Sequence, residues 1–512
     1  MQERIWEIAL KRCFLIQAAE IYNPPGGFYD FGPAGAALKK KIENAWRDFF
    51  VKREGFLEVE TTAFLPEPVL KASGHVAQFA DPLVECTKCR KRFRADELIR
   101  DHIGKHREEY KKKKPEWASV RTEGVPVEEL TRIIGEMGVA CPECGGALAE
   151  AKPFNLMFKT NIGPVEGNTA YARPETAQGI FLDFHRVFRA HGSKLPLGIA
   201  QVGRSFRNEI APRQGLLRLR EFTQMELEYF FNPSEPGHPR FKEVENEVLR
   251  IYTREEQAND SQKVTEVTAG EAVKSGLVPN EIMAYFLVRE AQFYDSMGVK
   301  GHRFRHMLPE ETPHYSKGNF DLEVQTSYGW IETIGTAYRT DYDLSSHARA
   351  SGKEISVFIE EGKKKIVPHV VEPSFGVDRL FWCVLEAAYR KGGGAEGRDW
   401  EWFDFPAAIA PFECAVLPLM KKDGLAEKAR EVVGMLRAEG FNALYDESGS
   451  VGKRYARMDE VGVPYCITID YETLKDESVT IRFRNDGKQE RITWRELPGK
   501  LHACIKQNRL TA

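Results

Sequence analysis

Long apolar runs are missing from this chain: none approaches the roughly 20 residues that a membrane-spanning helix needs. The opening segment MQERIWEIALKRC has no apolar signal core and is patterned instead as an amphipathic helix. A net charge of −3 leaves no overall basic excess, so binding of nucleic acid would rest on a local basic surface. Cysteine is sparse for a disulfide scaffold. Of the nine present, four fall in two CxxC pairs, which argues for reduced thiols and metal. These absences predict a cytoplasmic protein. At 512 residues, 42% hydrophobic and 29% charged, the chain has material for two to four ordinary globular domains.

The chemistry concentrates in residues 204–230, RSFRNEIAPRQGLLRLREFTQMELEYF. IAQVGRSFRNEI and LREFTQMELEYF both alternate apolar and polar residues, as half-buried strands do. APRQGLL, carrying Arg213, is the turn between them. The antiparallel pair would present Arg207, Glu209, Arg220, Glu221, Phe222, Gln224 and Glu226, several of them on one face by the two-residue period. Arginines grip phosphate through forked, charge-assisted hydrogen bonds. An aromatic ring stacks on a base, and carboxylates hold an ammonium group or Mg²⁺. Any one of these residues alone would more often belong to a solvated sheet face. Seven within twenty positions point to a site for a nucleotide and a small zwitterion.

Elsewhere, IYNPPGGFYDFGPAG is a Gly/Pro-rich approach to a helix through LKKKIENAWRDFFVKREG. Cys86 and Cys89 form CTKC. After 51 residues Cys141 and Cys144 form CPEC, followed by two glycines. Four thiolates in this pattern suit a structural, tetrahedral Zn²⁺ with no open position for catalysis. A polar helical insertion, including Lys111 to Lys114, separates the two knuckles. RPETAQGIF reads as a strand end entering a helix, with Thr176 as N-cap, Gln178 in the first turn and Glu175 at the positive helix start. Residues 232–300 read as a mostly helical insertion. Residues 366–390 read as a buried strand ending at Glu372-Pro373-Ser374, a turn at Gly376, and a helix carrying Arg379. A glycine-rich linker then leads to alternating strands and helices, an α/β domain of about one hundred residues. Its helix carries Lys453, Arg454 and Arg457, candidate contacts for RNA.

FRNE, a loop and REFxQxE resemble motif 2 of the class II aminoacyl-tRNA synthetases, in the wording of the glycyl branch. FYDFGPAG is similar to that branch's N-terminal signature and GFLEVETTAF to motif 1, with Thr62 where proline is usual. IETIGTAYRTDYDL resembles the branch's ELxGIAxRTDxDL segment, with Thr333 and Tyr338 as departures, and EPSFGVDR resembles motif 3. His314 and Tyr315 lie in a stretch similar to a further element of the branch and receive no role.

The resemblance implies an α+β fold. It has an antiparallel-sheet catalytic core with helices, an inserted zinc-knuckle region and a C-terminal α/β anticodon-binding domain. The implied division begins with core and motif 1 in 1–80, zinc knuckle and helices in 81–152, and core with motif 2 in 153–231. A helical insertion follows in 232–300, core with motif 3 in 301–390, a linker in 391–410 and the anticodon-binding domain in 411–512. It also implies a homodimer that attaches glycine to tRNA(Gly) through an adenylate made from ATP and Mg²⁺.

In that picture Arg207 and Arg379 are catalytic. ATP is met by Arg207, Asn208, Glu209, Leu217, Arg220, Glu221 and Phe222, and from later segments by Glu332, Thr333, Gly376, Asp378 and Arg379. Glycine is met by Arg94, Glu175, Phe222, Gln224, Glu226, Arg339, Glu372 and Ser374, and Mg²⁺ by Glu332 with Glu372. A non-catalytic RNA-binding protein on a degenerate version of the fold would have shed the charged motif residues. Arg207, Arg220, Arg379, Glu332 and Glu372 are all present.

Overall fold

The computed structural model describes residues 1–507 except 119, 121, 123, 165–166, 213–214, 260, 314, 360–362 and 395–396. Arg213 and His314 therefore lie outside the described residues. A nine-stranded sheet forms the body of the chain. Its order is Thr265–Thr268, Val248–Tyr252, His302–His306, Asn319–Thr326, Gly329–Thr340, His369–Gly376, Glu221–Phe231, Leu197–Phe206 and Leu57–Glu58. Neighbours run antiparallel except for two parallel contacts, Val248–Tyr252 with His302–His306 and Leu57–Glu58 with Leu197–Phe206.

The central strand Glu221–Phe231 shows how alternation builds both a core and a site. Met225, Leu227, Tyr229 and Phe231 enter the main apolar core, which also holds the buried faces of the Glu281–Ser296 and Val377–Ala388 helices. The other parity carries Phe222, Gln224, Glu226 and Glu228. It closes at Phe230, which stacks on Phe184 of the Ala177–Ala190 helix at 4.2 Å between centroids.

Three expectations change here. The first strand stops at Phe206 and the second starts at Glu221, so Arg207, Asn208, Glu209 and Arg220 sit on the connecting loop. Residues 232–300 are not a helical insertion throughout. Val248–Tyr252 and Thr265–Thr268 extend the central sheet, and only the later helix is long. Dense charge around VLRIY mimics a helical face, yet Leu249 and Ile251 are buried between exposed neighbours with period two. In the C-terminal domain Arg454 is buried, donating to the Gly449 carbonyl at 2.7 Å and to that of Pro418. Arg457 is paired with Asp446 at 2.6 Å, which leaves Lys453 as the exposed cation of the three.

That domain is a five-stranded mixed sheet in the order Ala443–Tyr445, Cys414–Pro418, Tyr465–Ile469, Ser478–Phe483 and Gln489–Thr493. The first three strands are parallel and the last two antiparallel. The cysteine-bearing region has its own three-stranded sheet, Arg92–Arg94, Ala80–Glu85 and Lys152–Asn155, with helices Ala95–Lys113 and Val127–Met137 closing a separate core.

The glycines of FGPAG are explained by close approach. A Cβ at Gly35 would lie 1.8 Å from the Phe14 carbonyl oxygen, inside the Pro33–Trp46 helix. Alanine is worth about 1 kcal/mol more than glycine in a helix interior by propensity. Gly35→Ala nevertheless lowers the melting temperature, read by calorimetry, because the backbone contact has no room to give. A rise in melting temperature would contradict the close approach.

Candidate active site

The site is centred on Arg339, 2% exposed, at the end of Gly329–Thr340. Its Nε and Nη2 donate to both oxygens of Asp343 at 2.8 and 3.0 Å, and Nη1 donates to Glu372 at 2.7 Å. Glu175 approaches Nη2 at 3.7 Å, and the Tyr315 ring covers the guanidinium with its centroid 4.1 Å away. Beside this group Glu226 accepts from the Thr176 amide at 2.8 Å, the Thr176 hydroxyl, Gln224 at 2.8 Å and Ser374 at 2.6 Å. Thr176 thus stands at the N-cap position with its hydroxyl spent on Glu226, whose carboxylate caps the helix start from across the fold.

The acids outnumber the cation. Glu175, Glu226, Glu228, Asp343 and Glu372 gather around Arg339, and neither carboxylate oxygen of Glu228 has a hydrogen-bond partner. Despite its burial, Glu175 is held well below the usual carboxylate range by His75 and Arg339. Burial, with Glu175 next to it, pushes Glu226 upward. Burial, with Glu226 and Glu175 as neighbours, pushes Glu372 up to about 8 against the pull of Arg339. Five carboxyl groups thus share a single guanidinium, an excess of acid at one point.

Gln224 and Ser374 join this end to an adjoining pocket of about 160 Å³ that they also line. Arg207 lies between the Phe79 and Phe222 rings, 5.3 and 5.2 Å from their centroids, and donates to the Pro174 carbonyl at 3.3 Å. Arg379 enters from the far side. Its Nε meets the Leu217 carbonyl at 3.1 Å, and its Nη1 meets the carbonyl of Glu332 at 2.8 Å and its carboxylate at 3.3 Å. Glu332 is half-exposed, opposite Glu323 in the sheet register and close to Asp321, whose carboxyl is driven up by burial and by Glu332. A ring pair, two arginines and an acidic edge are what a nucleotide and its counter-ion require. A larger cavity of about 840 Å³ lies against the C-terminal domain, where the buried Arg484 is already satisfied by Asp404, Gly462 and Phe405.

Several residues expected at the ligands have partners within the protein, and two of them, Thr333 and Asp378, also line the pocket beside Arg379. Arg220 donates to the carbonyls of Gly26 at 2.6 Å and Glu209 at 2.8 Å, tying the Gly/Pro-rich approach to the loop. Glu221 has the opposite parity to Phe222 and pairs with Arg204 at 2.8 Å, away from the pocket. Asp378, buried, accepts from the Lys39 ammonium at 2.8 Å and the Thr223 amide at 2.6 Å. Thr333 gives its hydroxyl to the Leu322 carbonyl at 3.1 Å. Asn208 makes a backbone bond to Leu156 at 2.6 Å. Arg94 is paired with Asp81 at 2.8 Å and Asp96 at 2.5 Å.

Glu372 does not join Glu332 at a metal position. It lies opposite Ala337, five positions along the strand from Glu332, about 17 Å at ~3.4 Å per residue. Sequence reasoning missed Asp343, Glu228 and the Ser73–Phe79 segment. Only the alternation of Glu226 and Glu228 carried a signal.

The four CxxC sulfurs converge within 4.8 Å of one another, with Cys86 Sγ 3.5 Å from Cys144 Sγ and Cys89 Sγ 3.7 Å from Cys141 Sγ. Tetrahedral Zn²⁺ with Zn–S of about 2.3 Å sets sulfurs about 3.8 Å apart. A Cβ at Gly146 would lie 3.1 Å from Cys86 Sγ and 3.3 Å from Cys144 Sγ, so glycine there keeps the sulfurs clear.

Comparison with known proteins places this geometry. Residues 164–388 match the model of the tRNA synthetase class II core domain (G, H, P, S and T), and residues 413–503 match the anticodon binding domain. The sheet with its two-ended pocket is thus a class II aminoacyl-tRNA synthetase core. The glycine–tRNA ligase of Pyrococcus horikoshii is 42% identical over 98% of this chain and 98% of its own. That of Methanocaldococcus jannaschii is 39% identical over 99% of both, and that of Methanothermobacter thermautotrophicus 40% over 97% of both. The chain belongs to the glycine–tRNA ligase family, and its activity is the ATP-dependent attachment of glycine to tRNA.

The placement of Asp378 has a measurable consequence. Asp378→Ala strands the buried Lys39 and lowers unfolding free energy by about 3–5 kcal/mol in denaturant titration. A residue that only touched nucleotide would leave the unfolding midpoint unchanged.

Proposed function

We propose that the Arg339 cluster is the glycine subsite and the Arg207–Arg379 pocket the ATP subsite of one adenylation centre. The observation that carries this reading is the charge imbalance around Arg339, read beside a pocket with two arginines and Phe222. Glu175 and Glu226 take the glycine ammonium, with Gln224, Ser374 and Glu372 closing around it. The glycine carboxylate attacks the α-phosphorus of ATP, the bond to the bridging oxygen breaks, and pyrophosphate leaves with the electron pair. Arg207 neutralises charge growing on the α-phosphate, Phe222 and the adenine ring stack, and Arg379 holds the γ-phosphate. No protein nucleophile is required. The rate comes from placement and fixed charge. In the second step the terminal ribose hydroxyl of tRNA(Gly) attacks the glycyl carbonyl and AMP leaves.

Mg²⁺, which lowers the charge on the departing pyrophosphate, is assigned to Glu332 with Asp321 and Glu323 rather than to Glu372. Hard carboxylate oxygens crowded at the pocket edge support that choice. Structural Zn²⁺ is assigned to Cys86, Cys89, Cys141 and Cys144, and the sulfur spacing supports it. A homodimer is assigned through the N-terminal segments. Ile21, Tyr22 and Phe64 of these segments are exposed at 84%, 80% and 54%, and apolar side chains left open are the material of an interface. A cytoplasmic location agrees with the cysteine pattern, four of nine in two CxxC pairs rather than in a disulfide framework.

Glycine-dependent ATP–pyrophosphate exchange without tRNA tests the centre. Arg207→Ala lowers its rate about 10²- to 10³-fold, the scale of one lost preorganised charge stabiliser; an undiminished rate would remove Arg207 from the reaction. Zinc analysis of the purified protein returns about one atom per chain, and Cys86→Ala lowers both zinc content and stability. Full stability with no bound zinc would refute the knuckle.

A further inference from the structure

KASGHVAQF, between motif 1 and the first cysteine pair, lies over the active site without a part in the reaction described above. Glu67–Ala72 is a short helix ending at Ser73, and Gly74 then adopts φ +87°, a conformation glycine takes at little cost. That turn sets Ser73 and His75 side by side, with Ser73 Oγ 2.8 Å from His75 Nδ1. The other ring nitrogen, Nε2, lies 3.5 Å from Glu175 Oε2, and both side chains are nearly buried, at 10% and 13% exposure. Ser73, His75 and Glu175 therefore form a relay from the backbone turn to the ammonium subsite.

The contact does not depend on one protonation state. Ser73 Oγ also lies 3.3 Å from the Leu70 carbonyl. With its hydrogen on His75 Nδ1, the ring is neutral and presents Nε2–H to Glu175. With its hydrogen on the Leu70 carbonyl, Ser73 accepts from Nδ1–H, and the ring donates from both nitrogens as an imidazolium. Rotation of one hydroxyl serves both states, so a donor faces Glu175 in each.

The segment is also anchored. Asn155 Nδ2 donates to the Val76 carbonyl at 3.1 Å, and the Leu156 amide to the Phe79 carbonyl at 3.0 Å. Leu156 in turn accepts from Asn208 beside Arg207, against which Phe79 packs. One five-residue strap therefore touches the glycine end through His75 and the nucleotide end through Phe79.

We propose that His75, oriented by Ser73, is a positioning residue for glycine recognition, holding the Glu175 carboxylate turned toward the substrate ammonium. The proposal rests on the assignment of Glu175 to glycine. His75 faces Oε2, whereas Gln178 donates to the other oxygen, Oε1, at 2.9 Å and Arg339 approaches that oxygen at 3.7 Å.

Exchange kinetics with the full-length enzyme test it, using Glu175→Gln, His75→Ala, His75→Gln and Ser73→Ala. His75→Ala raises KM for glycine about 10- to 100-fold, the loss of a hydrogen bond to a charged group, and KM for ATP stays within about twofold. His75→Gln, whose amide reaches the Nε2 position, restores most of the loss. His75→Ala added to Glu175→Gln adds less than about twofold, because the two act as one unit. If Glu175→Gln raises KM for glycine and His75→Ala does not, the proposal fails while the glycine subsite stands. If Glu175→Gln itself leaves KM unchanged, the subsite assignment falls and takes the proposal with it. An equal rise in both KM values that His75→Gln does not restore would mark His75 as a packing residue and overturn the role.

Discussion

The structure depends on a single buried guanidinium. Arg339 carries the one cation at the centre of a water-poor cluster with Asp343, Glu372 and Glu175, and Glu226 and Glu228 stand close by. Separating such charges from water costs several kcal/mol per ion unless partners are close and complete. Asp343 supplies two bonds from the helix that follows and Glu372 one from the neighbouring strand, so the guanidinium locks three elements into one register. The remaining acid excess is not relieved within the protein. Burial and the neighbouring carboxylates raise the affinity of Glu226 and Glu372 for protons.

The nucleotide end relies on geometry more than on charge density. Backbone carbonyls orient its arginines, Pro174 for Arg207 and Leu217 and Glu332 for Arg379, and the Glu332 carboxylate also approaches Arg379 at 3.3 Å. Asp378 neutralises Lys39 and caps the Thr223 amide, binding the Pro33–Trp46 helix to the strand that holds Phe222 and Gln224. Arg379 and Asp378 are adjacent in sequence and both line the pocket, yet Arg379 is bonded to loop and strand carbonyls and Asp378 to a buried lysine and a strand amide.

The cysteine region reaches the centre through short, strong links. Arg218 joins Glu97 of that region to Glu209 of the loop, and Asn155 with Leu156 ties the strap over the pocket to the strand leaving the cysteine sheet. Displacement of the four-cysteine cluster would therefore be felt at the pocket through Ser73–Phe79 and the 207–209 loop. Arg94 belongs to this brace: its pairing with Asp81 and Asp96 holds the two sides of the cysteine sheet together.

Much was legible in the sequence because it was local. Period-two alternation predicted the paired strands Leu197–Phe206 and Glu221–Phe231, the CxxC spacing predicted four converging sulfurs, and the alternating C-terminal elements predicted a mixed α/β sheet. Motif wording brought Glu175, Glu226, Arg339, Glu372 and Ser374 to one place before any coordinates. What the sequence could not decide was partnership. Arg220, Glu221, Asp378 and Arg94 carry charges that suit a ligand, and only the fold shows the carbonyls, Arg204, Lys39 and two aspartates that partner them within the protein. Asp343 and His75 lie in segments far from motif 2 and become neighbours of the site through long-range contacts and a glycine turn, whereas Glu228 follows Glu226 on the same strand face. Residue type and spacing determine which chemistry a segment is able to offer. Which group remains unpaired and free to meet substrate is set by long-range contacts, because an ionic partner may come from any distance along the chain.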